Sequence, residues 1–314
     1  MKVLFLTRRS LENPAPFVVE QIQALERNYP IEILRFTVKK GGIIGYLKTV
    51  FSLNKFFKNN QIDIIHAHYG LTGMVAVLYK LLFFSKIKVV ITYHGSDINN
   101  PKEKIISLLA GYLADAKIII STKMISTFNK KTYLIPCGID IPNIESKYNT
   151  EDLEKEFKLS KENLLVLFNS DFGKKVKDPA FAKQVIIEFN KQNKIQAVLI
   201  ELKNYNRQQV NRLMNLADVL FMCSKTEGSP QSIKEAISNR LPILTNQVGD
   251  VEYICENIDH CYIVEKNIKA YINVLNNIAN KKERIIDNSS VLRKFDNKLI
   301  ATKIYEVYKS ISNK

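Results

Sequence analysis

Residues 217 to 250 read ADVLFMCSKTEGSPQSIKEAISNRLPILTNQVGD. Val219 to Met222 is a short apolar run of strand length and strand composition. A turn of small residues, Cys223 to Ser229, follows it. Pro230 suits the first position of a helix, because its fixed φ fits there and its missing N–H costs nothing. Ser229 is then the expected N-cap. The helix is expected to run to about Asn239, with Ile233, Ala236 and Ile237 on one face and Gln231, Glu235 and Ser238 on the other. A second strand, Leu241 to Thr245, comes at once. The loop of this strand–loop–helix–strand unit lies at the carboxyl end of its strand, where open α/β sheets bind ligands.

The chemistry of the loop suits that placement. The free N–H groups between Gly228 and Gln231 begin a helix, where they favour anions and hydroxyl oxygens. Glu227 lies in the loop, and Glu235 lies two turns into the helix, away from the core face. Two carboxylates near a helix start can accept hydrogen bonds from the vicinal hydroxyls of a sugar and a ribose. A bare spacing of eight between glutamates also arises by chance on a surface. The whole string, EGSPQSIKEA to RLPI to VGD after an apolar strand, carries the argument.

The chain has 314 residues, enough for two domains of ordinary size, and 46% of them are hydrophobic, which fits a globular protein. No apolar stretch reaches about 18 residues, so a membrane-crossing helix is not expected. The start, MKVLFLTRR, places its charges after the apolar run and reads as a first strand rather than a signal peptide. The four cysteines form no C-x-x-C pattern, which fits a reducing compartment; a disulfide between Cys255 and Cys261 stays open. The net charge of +15 is uneven, with +10 in residues 1–150. That bias suits an anionic partner, whether nucleic acid, acidic lipid or a phosphorylated acceptor, or else only a lysine-rich surface.

Along the chain, Val3 to Thr7 is a buried-type strand, and RRSLENPAPFVVEQ after it contains no glycine. A G-x-G-x-x-G dinucleotide turn is therefore missing, which argues against an NAD or FAD enzyme. Pro16 to Asn28 has helical spacing, Ile31 to Phe36 is a second strand, and Lys39 to Gly45 reads as a basic loop. In GYLKTVFSLNKFFKN, Leu47, Val50, Phe51, Leu53, Phe56 and Phe57 alternate with Lys48, Lys55 and Lys58. This is either an amphipathic helix for an anionic membrane surface or a packed helix with snorkelling lysines. Ile62 to Ala67 ends in HAHYG, where His66 and His68 share a strand face. Two histidines with no neighbouring Asp, Glu or Cys do not make a metal site. His68 is expected to line a cleft, with Tyr69 and Gly70, while the role of His66 stays open. Val89 to Tyr93 ends in His94, Gly95, Ser96 and Asp97. There a histidine and a carboxylate three residues apart can both face a cleft, or Asp97 can serve as a local turn or cap. In the second half, the strand Leu164 to Asn169 leads into SDFGKKVKDPAFA. Lys174 and Lys177 could clamp a diphosphate there.

EGSPQSIKEA, HGSD, the PCGIDIP passage and the lysine loop together resemble glycosyltransferase family 4, across both halves of the chain. The resemblance implies an α/β GT-B fold, two Rossmann-like doubly wound domains facing an interdomain cleft. It implies residues 1–142 as the acceptor-side domain, 143–296 as the nucleotide-sugar domain, and a helix in 297–314 crossing back to the first. It also implies a retaining enzyme that moves a sugar from a nucleotide-diphosphate sugar to a hydroxyl of a saccharide or lipid-linked acceptor, in bacterial surface polysaccharide synthesis. A UDP-sugar is favoured over a GDP-sugar. Lys174, Lys177, Gly228, Ser229, Pro230, Gln231 and Glu235 would bind the donor. His94, Asp97 and Glu227 would serve catalysis, and His68, Tyr69, Gly70, Gly95 and Ser96 would line the acceptor side. With no Asp-x-Asp motif, neither metal nor cofactor is implied, and no nucleic-acid motif occurs. The implied location is the cytoplasm, including the inner membrane face. A GT-B sugar-nucleotide epimerase and a non-enzymatic basic binding protein are the alternatives. This chain departs from the family in having Lys174 or Lys175 where arginine is usual, Cys137 where asparagine is usual, and a short stretch before the ADVLF strand.

Overall fold

The structure, a computed structural model, describes residues 1–8, 15–128, 132–141, 151–157 and 162–312. The residues from Met1 to Gly138 join those from Phe295 onward in one compact unit, and Ile139 to Lys294 form a second. The expected boundary at 142/143, most of the linker after it and part of the glycine-free stretch after the first strand lie outside the described residues.

The first unit runs β1 (Lys2–Thr7), α1 (Pro16–Asn28), β2 (Glu32–Thr37), α2 (Gly42–Lys58), β3 (Ile64–His68), α3 (Gly70–Leu82), β4 (Lys88–Tyr93), α4 (Ser96–Asn99), α5 (Pro101–Leu113), β5 (Ala116–Ile119) and β6 (Thr132–Leu134). Its strands form a parallel sheet in the order β2-β1-β3-β4-β5-β6. The second unit contains α6 (Glu151–Glu156), β7 (Leu164–Phe168), α7 (Pro179–Gln192), β8 (Ala197–Glu201), α8 (Arg207–Leu216), β9 (Val219–Phe221), α9 (Gln231–Ser238), β10 (Ile243–Asn246), α10 (Val251–Cys255), β11 (Cys261–Val264) and α11 (Ile268–Lys281). Its parallel sheet has the order β11-β10-β9-β7-β8. α12 (Ser289–Phe295) leads to α13 (Asn297–Ser312).

Helices cover both faces of each sheet, and the strands show why. Side chains alternate along a strand, so β1 feeds two cores. Val3 and Phe5 pack with Val18, Ile22 and Leu25 of α1 and with Ile300 and Ile304 of α13. Leu4 and Leu6 pack with Val50 and Leu53 of α2, Val75 of α3 and Ala110 of α5. In the second unit, Val166 and Phe168 meet Val185 and Phe189 of α7 and Leu275 of α11.

α13 lies against α1, where Tyr305 stacks on Tyr29 at 4.2 Å and the Tyr29 hydroxyl meets Thr302 Oγ1 at 2.7 Å. Further along, Tyr308 is fully buried and its hydroxyl lies 2.5 Å from His66 Nδ1. The other ring nitrogen, Nε2, meets Thr92 Oγ1 at 2.7 Å. His66 is thus a satisfied core histidine.

Two local expectations change, and the open question of a disulfide is answered. α9 starts at Gln231 with Pro230 as its N-cap, and the Ser229 hydroxyl makes no capping bond. Proline's extended backbone there (φ −67°, ψ 116°) ends the loop instead of opening the helix. α2 begins at Gly42, inside the expected loop, since glycine weakens a helix without forbidding one. The four cysteines are free thiols, including Cys255 and Cys261.

Tyr308→Phe should leave His66 Nδ1 without its partner. Denaturant melts should show a loss of about 1–3 kcal/mol, the cost of an unpaired buried polar group.

Candidate functional site

In the first unit, β3 and β4 are neighbours, and their carboxyl ends bring HAHYG beside HGSD. Three histidines stack there. His66 and His68 are 4.7 Å apart at 22°, and His68 and His94 are 5.2 Å apart at 19°. Phe5 tilts against both His66 and His68. His68 Nδ1 lies 3.0 Å from His94 Nε2, while His68 Nε2 is buried with no partner. An orphaned buried N–H is rarer than an orphaned acceptor. The proton of His68 is therefore assigned to Nδ1, which donates to His94 Nε2. His94 then carries its own proton on Nδ1, facing Cys137 Sγ at 3.8 Å. His66 and His68 are fully buried, whereas His94 is half-buried. Phe17 and Tyr69 flank the His94 ring at 4.9 and 4.5 Å.

Burial keeps all three rings neutral. It holds His66 and His94 well below the ordinary imidazole range and His68 down to about 3.

Asp97 is fully buried. Its Oδ2 accepts from the Gly70 N–H at 3.0 Å and its Oδ1 from the His94 N–H at 3.1 Å. Those bonds pin the two strand-end loops together. Burial nevertheless raises the carboxyl to about 6, against the lowering by its backbone hydrogen bonds. A Cβ on Gly70 would lie 2.1 Å from Ser107 Oγ, so only glycine fits there. Gly95 has φ 93°, and Tyr69 holds φ 76° at the start of α3, a conformation side chains rarely adopt. Ser96 is exposed beside them.

In the second unit, the loop between β7 and α7 meets the loop between β9 and α9. The Lys225 N–H donates to Val176 O at 2.9 Å, and Cys223 Sγ lies 3.2 Å from Asp178 O. Lys177 Nζ pairs with Glu227 Oε1, and the Ser224 hydroxyl donates to the same oxygen at 2.6 Å. Lys174 and Lys175 are exposed. Glu235 Oε1 is held by Arg207 Nη1 at 2.6 Å. Gly249 of the VGD string, at φ 57°, packs against this loop so closely that a Cβ would lie 2.4 Å from Gly228 O. The Asp250 N–H donates to that same carbonyl at 2.9 Å.

At the start of α9, the backbone N–H groups come from Gly228, Ser229 and Gln231. Pro230 has none and shapes the turn. The Ser229 hydroxyl is buried without a partner. Gln231 is partly engaged, because its Oε1 accepts from the buried Lys234 Nζ at 2.9 Å.

The structure thus gathers His68, Tyr69, Gly70, His94, Gly95 and Asp97 in one cluster. In the other unit it gathers Lys177, Glu227, Gly228, Ser229 and Gln231, with Glu235 one helix turn beyond Gln231. Sequence reasoning missed Ser224, Lys234 and Arg207, and also Asn169, whose buried amide is unpartnered at the end of β7. Arg207 precedes Glu235 by 28 residues, and no local pattern links them. Among the described residues, no group of three or more His, Cys, Asp and Glu side chains could hold a metal ion.

Two parallel-sheet Rossmann-like domains with loops converging at strand ends define the GT-B architecture. The crystal structure of Anabaena HepE in complex with UDP and glucose matches with a TM-score of 0.73 at 16% identity, covering 99% of this chain and 100% of that one. Residues 3–142 match the family model Glycosyltransferase Family 4, and residues 141–290 match Glycosyl transferases group 1. The chain belongs to glycosyltransferase family 4 and is a transferase. It is 25% identical over 280 residues to the UDP-Gal:alpha-D-GlcNAc-diphosphoundecaprenol alpha-1,3-galactosyltransferase of Escherichia coli, covering 76% of this chain and 72% of that one. The N-acetyl-alpha-D-glucosaminyl L-malate synthase of Bacillus anthracis is 22% identical over 276 residues, covering 77% and 72%.

The neutral histidines make stability depend on pH. In the unfolded chain each takes up a proton near pH 6.5, whereas folded His68 resists until about 3. The unfolded state therefore binds more protons in that window, and stability falls as the pH drops through it, by on the order of 1.4 kcal/mol per pH unit for each buried histidine. Asp97 acts oppositely between about pH 4 and 6, where the folded carboxyl holds a proton that the unfolded one has lost. The histidines outnumber it. Urea melts from pH 7 to 5 should show falling stability, with a shallower slope in His68→Asn.

Proposed function

We propose that this chain is a retaining glycosyltransferase that draws on a UDP-sugar and builds bacterial surface polysaccharide. Residues 143–296 would take the donor, and residues 1–142 with the helix after 297 would carry the acceptor-side cluster. The observation behind this reading is the Lys177–Glu227–Ser224 cluster beside the backbone N–H groups that open α9.

Lys177 and the N–H groups of Gly228, Ser229 and Gln231 offer positive charge and donors to a diphosphate. They would stabilise the negative charge that grows as the sugar C1–oxygen bond breaks. Lys174, exposed at the same loop, adds a mobile cation. In the free protein Glu227 neutralises Lys177, so an arriving diphosphate competes for that lysine. Once released, the Glu227 carboxylate is free to accept from sugar hydroxyls. Arg207 holds one oxygen of Glu235, which fixes that carboxylate to accept from the ribose hydroxyls.

The new bond forms from an acceptor hydroxyl to C1 on the face that the diphosphate leaves. The hydroxyl proton passes to the leaving phosphate oxygen. That route needs no metal and no cofactor. His94, neutral and presented by the His66–His68 stack, would contact the donor sugar. Asp97 acts as a positioning residue, because both its oxygens are occupied by backbone N–H groups. Tyr69, Gly70, Gly95 and Ser96 complete the acceptor side. The Escherichia coli relative supports a UDP-linked donor and a lipid-diphosphate acceptor, and such an acceptor would be met at a cytoplasmic membrane face. Among the described residues, no helix is long and apolar enough to cross a membrane.

Glu235→Gln and Lys177→Ala should each lower transfer by roughly a hundredfold or more while the protein stays folded. The donor is found first by a thermal-shift screen over nucleotide sugars, since a bound donor stabilises the fold. Near-normal turnover in both variants would defeat the site assignment. Conversion of the donor to an epimer without acceptor would favour the epimerase reading.

A further inference from the structure

Twelve of the twenty large apolar side chains that stand exposed among the described residues lie between Ile43 and Leu113. All twelve belong to α2, to α5, or to the carboxyl end of α3 and the turn just after it. These three helices are neighbours over one face of the first sheet, with α3 packed between the other two.

Each helix contributes a stripe on its outward side. On α2, Ile44, Leu47 and Phe51 recur at spacings of three, four and seven, and Phe51 is 63% exposed. Phe51 touches Phe83, edge to face at 6.2 Å, which joins the stripe to the end of α3. There Leu81 and Leu82 are half exposed and Phe84 is 91% exposed. On α5, Ile105, Leu109 and Tyr112 follow the same spacing, at 77%, 51% and 83%. Gly70 abuts Ser107, so α3 and α5 approach closely and their outer faces are continuous. A lone exposed leucine is ordinary, but apolar stripes on three adjacent helices mark a docking surface.

The charge on this face is predominantly positive. Residues 39–113 hold ten lysines, no arginine and three acidic residues, one of which, Asp97, is buried. Lys48 and Lys55 stand exposed on the same side of α2 as Phe51, and Lys102 and Lys104 are exposed on the first turn of α5. Self-association about a two-fold axis would press this face against itself and bring lysine onto lysine. Nucleic acid would satisfy the lysines and leave the apolar stripes wet. An anionic bilayer satisfies both, since apolar helix faces sink to the acyl boundary while lysines meet the headgroups.

We propose that the outer faces of α2, α3 and α5 form one surface on which this protein docks to an anionic lipid bilayer. This deepens the membrane-face reading above, but it stands apart from the transfer chemistry, because the test reads lipid binding alone.

The test is co-sedimentation of the full chain with phosphatidylcholine vesicles, with and without phosphatidylglycerol, at low and high ionic strength. Binding is expected on the anionic vesicles and is expected to weaken with salt. Each lysine near an anionic surface contributes about fivefold in partitioning, so the triple change Lys48→Ser, Lys55→Ser and Lys104→Ser should lose roughly a hundredfold. The same change at Lys194, Lys269 and Lys281, exposed in the second unit, should lose far less. Phe51→Ser with Tyr112→Ser should weaken binding at any salt concentration. These positions are exposed, so unchanged melting temperatures are expected; where a multiple change melts lower, the single Phe51→Ser carries the comparison. The proposal falls if anionic vesicles are not bound, or if the second-unit lysines matter equally. It also falls if sedimentation equilibrium shows a dimer that Phe51→Ser dissociates.

Discussion

A parallel strand flanked by helices can leave neither of its faces in water, and both units take their layout from that constraint. Val3 and Phe5 point to one helical layer, and Leu4 and Leu6 to the other. All strands in a unit then run the same way, so their carboxyl ends share one edge. HAHYG and HGSD meet because β3 and β4 are paired neighbours. The lysine loop and EGSP meet because β7 and β9 are paired neighbours. Strings far apart in sequence become one site through strand order.

Backbone then does much of the positioning. Asp97 accepts from two N–H groups in two different loops, and Gly228 O accepts from Asp250. Such bonds fix loop shape while leaving other groups to meet a ligand. The electrostatics of the two units differ accordingly. The first presents neutral imidazoles in a dry stack, whereas the second presents paired charges, Lys177 with Glu227 and Arg207 with Glu235.

The fold was legible because buried parallel strands are continuous apolar runs, and Val3 to Leu6, Val89 to Ile91 and Leu164 to Phe168 are such runs. The candidate site was legible as a local cluster where its residues are close in sequence, as in the Glu227 to Glu235 string. It was illegible where long-range packing decides. Nothing near Glu235 announces Arg207, and nothing near His66 announces Tyr308, which lies 242 residues later. Pro230 misled because proline fits both an N-cap and a first helical position, and the choice depends on the loop before it. Asp97 showed two readings at once: its spacing from His94 admitted a ligand-facing carboxylate or a turn, and only burial at the strand ends shows both oxygens occupied by backbone.

The discontinuity of the first unit has a consequence for biosynthesis. Its α1 face is covered by α13, which is made last, while the second unit is one unbroken segment between them. During translation the later unit can therefore finish before the earlier one. Until residues 295–312 leave the ribosome, Val18, Ile22 and Leu25 face solvent on one side, and His66 waits for Tyr308. The first unit thus begins the synthesis and ends the folding.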